Sequence, residues 1–117
     1  MRSLTLTGAA LAAAFAFISL ASACENPALV SIPEGKGATL EQMLAAQAQV
    51  KTYQAKMAEY LACVDAESDS QGEKAPNEYK ALMVNRHNAA VAEMEGVAAA
   101  FNTQIKAYKT ANPAPAK

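Results

Sequence analysis

Two sets of side chains in this sequence have the atom types for chemistry. The first is a pair of cysteines, Cys24 and Cys63. In an oxidising compartment two such thiols join as a disulfide, and in a reducing one they stay free as ligands or nucleophiles. The second set is Met83 and His87, four residues apart and so on one face of a helix, with Met57 across the seam and Asn85, Arg86 and Asn88 alongside. Thioether and imidazole ligands suit copper. A closed metal site takes three or four ligands and an outer shell of hydrogen bonds, whereas methionine is a common gap filler of helical cores and a lone seam histidine is commonly a hydrogen-bonded core residue. Core packing is the favoured reading of Met57, Met83 and His87, and metal binding is the alternative.

Other chemistry lacks its parts. His87 is the one histidine and has no serine or cysteine near it in sequence, and the carboxylates are scattered along polar faces. No basic residue follows Cys63 within a helical turn to lower its pKa. The Cys-x-x-Cys-His of haem attachment is absent, as is a glycine-rich phosphate loop. Ten Lys and Arg stand against eleven Asp and Glu, a formal net charge of −1, and they are dispersed, which gives no basic footprint for nucleic acid. The sequence points to a non-enzymatic protein without a cofactor.

The compartment bears on the cysteines. Met1-Arg2 leads into an apolar run from about Gly8 to Ala21, and Ala21-Ser22-Ala23 stands immediately before Cys24. This has the form of a secretory signal peptide. It is shorter than the roughly 20 apolar residues that cross a bilayer, so residues 1–23 are set outside the fold and no span is expected in the mature chain. The expected location is periplasmic or secreted, in a bacterial envelope. Export favours a Cys24–Cys63 disulfide. At about 1.5 Å per residue, a helix from Thr39 to Cys63 covers roughly 36 Å, and the stretch from Cys24 to Thr39 can extend up to roughly 50 Å. Residues 24–38 can therefore return antiparallel along that helix as an extended arm, with Leu29, Val30 and Ile32 over its seam and Pro33 to Gly37 making the turn. The competing fate of Cys24 is lipidation, as an outer-membrane lipoprotein. Lipoprotein signals favour a large aliphatic residue three positions before the cysteine, where this chain has Ala21.

The elements that position these residues are two long helices. Thr39 and Gln42 have the spacing of a capping box. Beyond them Met43, Val50, Met57 and Val64 recur every seven residues, with Ala46, Tyr53 and Tyr60 three further on, which makes one apolar seam. This helix is expected over about 40–67. The polar stretch Ser68 to Ala75 reads as a surface connection, and Pro76 and Asn77 open a second helix over about 77–110. Its expected seam is Val84, Val91, Ala98 and Ile105 with His87, Met94, Phe101 and Tyr108. Antiparallel folding sets Met57 near His87, Val50 near Met94 and Met43 near Phe101, to within about one helical turn. Opposite the seam, Ala89, Ala92, Gly96, Ala99 and Ala100 form a small, weakly charged face, which reads first as a plain alanine-rich solvated surface and, as the alternative, as one that another helix can approach closely in a self-associated four-helix arrangement. Residues 111–117, with Pro113 and Pro115, are expected to be a disordered tail.

The segments Cys24 to Pro27, Ile32-Pro33-Glu34-Gly35-Lys36, Ala38-Thr39-Leu40-Glu41-Gln42-Met43, Tyr60-Leu61-Ala62-Cys63, Val91-Ala92-Glu93-Met94 and Phe101-Asn102, in that order, resemble a group of small secreted proteobacterial proteins. The resemblance covers most of the mature chain. It implies a signal peptide and a paired-cysteine hairpin, and it brings no activity. The fold expected is all-α, a long, coiled-coil-like antiparallel two-helix hairpin with an extended N-terminal arm. The function expected is that of a structural or protein-interaction module, acting as a homodimer or with an envelope protein partner.

Overall fold

The computed structural model describes residues 24–114. The leader read in residues 1–23 and the end of the tail, residues 115–117, lie outside the described residues. From Cys24 to Glu34 the chain has no regular secondary structure, then makes one 3-10 turn at Gly35–Gly37. Helix α1 runs Leu40–Gln71 and helix α2 runs Asn77–Ala111, packed against each other as a hairpin. The class is all-α, as expected, with the arm lying along the helices. Among the described residues no helix is long and apolar enough to cross a membrane.

The start of α1 is the reciprocal cap that its sequence predicts. The Gln42 backbone N–H donates to Thr39 Oγ1 at 3.1 Å and the Thr39 backbone N–H donates to Gln42 Oε1 at 2.9 Å. All seven predicted seam residues of α1, from Met43 to Val64, are buried, and Met57 is fully enclosed. The strict seven-residue repeat keeps one stripe facing α2 along the whole helix.

Helix α1 continues past the expected end near Glu67 to Gln71. Its polar last turn is held by bonds that composition does not disclose: the Ser70 hydroxyl donates to the Glu67 carbonyl at 2.7 Å, and the Tyr79 hydroxyl of α2 donates to the same carbonyl at 3.4 Å. The connection is thereby shortened to Gly72–Pro76. Gly72 has φ +67° and is the one described residue with positive φ, a conformation that a side chain would strain. Lys80 Nζ donates to the Glu73 carbonyl at 2.6 Å and ties the loop to α2. Pro76 takes the N-cap position and Asn77 is the first helical residue, so Asn77 does not act as the cap.

The seam of α2 differs from expectation in its first series and, in the second, at His87, whose side chain is 40% exposed. Met83, Ala90, Val97 and Phe101 are buried, with Met94, Ile105 and Tyr108 packed against them, while Val84 is 57% exposed. The heptad therefore runs 83-90-97, one residue earlier than 84-91-98. The tyrosines of α1 account for the choice. Tyr53 lies beside the Ala90–Glu93 turn, with its hydroxyl on Glu93, and Tyr60 lies under Arg86. Two bulky rings facing α2 are accommodated by small Ala90 and pliant Met83 rather than by a row of β-branched residues. The register set by Tyr53 on Glu93 and Arg86 over Tyr60 is within one turn of that expected, and His87 reaches Asp65.

The arm packs Val30, Ile32 and Cys24 against the core, whereas Leu29, expected over the seam, is 70% exposed. An extended chain sends alternate side chains to opposite sides, so Val30 and Ile32 facing inward put Leu29 and Ser31 outward. The arm ends at Gly35, whose backbone N–H donates to Gln104 Oε1 at 2.9 Å. A Cβ at Gly35 would collide with the Gln104 carbonyl and come within 2.8 Å of the Tyr108 nitrogen, so only glycine allows this approach to α2.

Candidate functional site

The cysteines are joined. Cys24 and Cys63 form a disulfide with a Cα–Cα distance of 5.7 Å, inside the usual range. The bridge fastens the first described residue of the arm to α1 well past the midpoint of that helix, and it engages the Cys24 sulfur that a lipid anchor would need. With Gly35 seated on α2, the arm is held at both ends.

Between those anchors the arm and α1 enclose an open cleft of about 870 Å³. Residues 25–31 line one side without a gap, and Gln49, Thr52, Lys56 and Glu59 stand among the α1 residues of the other. Tyr53 and Tyr60 contribute to its floor.

The polar side chains that sequence reasoning passed over are those that bridge the helices. Tyr53 donates its hydroxyl to Glu93 Oε1 at 2.7 Å. Burial first, and then the bond to and charge of Glu93, push the phenol up to about 12 from its ordinary 10.0. Arg86 reaches Glu67 at 3.5 Å and lies 5.9 Å from the centre of the Tyr60 ring, a cation over an aromatic face. Its pKa is raised further above its ordinary value, by the Tyr60 phenol first and also by the Glu67 carboxylate. A tyrosine in a predicted seam is itself a signal, because a buried phenol needs an acceptor on the facing element; the register then decides which acceptor it is.

Of the Met57, Met83 and His87 set, the two methionines belong to one core cluster and the His87 side chain is 40% exposed. Met57 is enclosed in the core, and Met83 is buried with its sulfur accepting from Arg86 at 3.6 Å. His87 Nδ1 is 3.0 Å from Asp65 Oδ1, both side chains being substantially exposed. Met83 and His87 do line a shallow cleft of about 340 Å³, in company with Asp65 and Ser68 rather than Met57. The structure thus gives His87 a hydroxyl neighbour and an acidic partner that sequence proximity did not. No group of three or more His, Cys, Asp or Glu suited to a metal ion occurs among the described residues.

Ala89, Ala92, Gly96, Ala99 and Ala100 lie on α2 away from the hairpin core, and none of them is buried. A Cβ at Gly96 would meet nothing within 4 Å, so the fold of this chain does not require glycine there.

Comparison of the chain with protein-family models, with curated proteins and with solved structures found no match.

Proposed function

We propose that the protein is an exported, non-enzymatic structural or protein-interaction module of a bacterial envelope, which docks a protein partner or a second copy through the outer face of α2. The observation that carries this reading is Gly96, open to solvent among Ala89, Ala92, Ala99 and Ala100 on a weakly charged face. A mid-helix glycine costs about 1 kcal/mol relative to alanine, and no neighbour inside the chain makes use of the missing Cβ. A helix from outside would use it, since small side chains let two backbones come close. Export is supported by the leader in the sequence and by the disulfide, a bond that persists in oxidising compartments.

The test is site-specific photo-crosslinking in the producing cells. A photoreactive residue at Ala92 or Ala99 is expected to give one defined adduct, and one at Gln47, on an exposed part of α1, none. Gly96→Glu is expected to remove the Ala92 adduct while leaving the helical circular dichroism unchanged. Absence of an adduct from every position on the α2 face would overturn the proposal. Sedimentation of the purified protein distinguishes a second copy from a different partner.

A further inference from the structure

We infer that the cleft between the N-terminal arm and α1 binds an extended peptide segment of another protein, which adds to the arm as a β-strand. This site lies apart from the α2 face and does not depend on it.

Three observations carry the inference. The first is unpaired backbone. From residue 25 to residue 33 the arm makes no hydrogen bond to any described residue, through either N–H or C=O. Leu29 to Ile32 nonetheless alternates as an extended chain does, with Val30 and Ile32 turned to the core and Leu29 and Ser31 outward. A strand with free donors and acceptors is a template for another strand.

The second is length. The arm's share of the cleft, residues 25–31, spans about 20 Å at roughly 3.3 Å per extended residue. The α1 share runs from Ala48 to Cys63 and spans about 22 Å at roughly 1.5 Å per helical residue. Two matched walls, one strand and one helix, make the groove in which peptides join a strand edge. About six extended residues fill it.

The third is preorganisation. The disulfide at Cys24 and the seated Gly35 hold the strand at both ends, so a ligand need not order it. The helix wall carries Gln49, Thr52, Lys56 and Glu59, whose polar and charged groups suit a peptide's amides and solvate poorly against an acyl chain. Exposed Leu29 supplies an apolar cross-strand neighbour, so the bound peptide carries an apolar residue opposite it.

Random heptapeptides displayed on phage, selected on the oxidised mature protein, provide the probe. Enriched peptides are expected to slow amide exchange by at least tenfold at alternate residues between Ala28 and Ile32, those whose N–H faces the cleft. N-methylation of the synthetic peptides is expected to weaken binding about tenfold at alternate residues and leave it unchanged at those between, the period-two signature of strand pairing. Cys63→Ser is expected to abolish binding by freeing the arm. The N-methylated peptides decide the matter whatever that variant does to stability. The inference is overturned by failure of any peptide to enrich, by protection that omits the arm, or by indifference to N-methylation. It is equally overturned if the arm amides are already protected in concentrated protein without peptide, which would assign the edge to a second copy of the chain.

Discussion

Tyr53 takes a phenol into the interior of the hairpin and donates its hydroxyl to a carboxylate from the other helix. The folded protein keeps that proton up to about pH 12, whereas an ordinary tyrosine releases it near 10.0. Between those values the unfolded chain binds fewer protons than the folded one, so the stabilisation is whole below pH 10 and is lost as pH rises toward 12. Tyr53→Phe is expected to be less stable by about 1 kcal/mol at pH 8, the net value of one hydrogen bond, and that gap is expected to close by pH 11.5. Urea unfolding of both proteins at the two pH values measures it; parallel pH dependence would contradict the assignment. Gly35 allows a sharper comparison with its neighbour. Gly35→Ala forces a Cβ into the Gln104 carbonyl and is expected to cost about 1–3 kcal/mol, the usual penalty of overpacking. Gly37, where an added Cβ would have nothing within 4 Å, is expected to accept alanine with no loss of stability. At this scale the sequence disclosed residue types but not partners. Asp65, Glu67, Glu93 and Gln104 lie on polar faces, and nothing in their spacing says which side chain stands across the helix interface.

The two helices differ in how plainly they could be read. In α1 the seven buried residues fall on one heptad pattern, which was legible residue by residue although Leu40 and Leu44 lie off it and are exposed. In α2 the rows 83-90-97 and 84-91-98 adjoin, and Val84 and Val91 look more core-like than Ala90. The choice rests on the bulk of Tyr53 and Tyr60 across the interface, which the α2 pattern alone does not contain. The end of α1 was hidden for a related reason: Ser68 to Gln71 is loop-like in composition, and Ser70 and Tyr79 hold its backbone helical. Gly96→Ala belongs to this scale. With open space around the added methyl, it is expected to raise stability by about 1 kcal/mol. It is also expected to weaken any contact made through the α2 face. A gain in stability accompanied by full crosslinking at Ala92 would separate the glycine from the proposed docking role.

As a whole the molecule is a hairpin made into a three-layered unit by one covalent bond. The Cys24–Cys63 bridge, with a sequence separation of 39, closes a loop whose constraint on the unfolded chain is worth about 3–4 kcal/mol. That is a large share of the roughly 5–15 kcal/mol that holds a typical domain folded. Cys63→Ser is therefore expected to lower the urea midpoint markedly, and to speed amide exchange at Gly35, the arm amide held on Gln104, while the α1 seam remains protected. Equal deprotection of arm and helices would mean that the arm is not a separable layer. The clip and the hairpin were legible from the two cysteines, the seam of α1 and the reach of the chain. The seating of the arm's far end on α2 was not, because Gly35 and Gln104 carry no mark of each other in sequence. The most direct test of the account is the intact mass of the mature protein from the cells that make it, before and after reduction and alkylation. The account predicts the mass of residues 24–117 less two hydrogens, with alkyl groups gained at both cysteines only after reduction. A mass raised by acyl chains, with Cys63 open to alkylation from the outset, would contradict it.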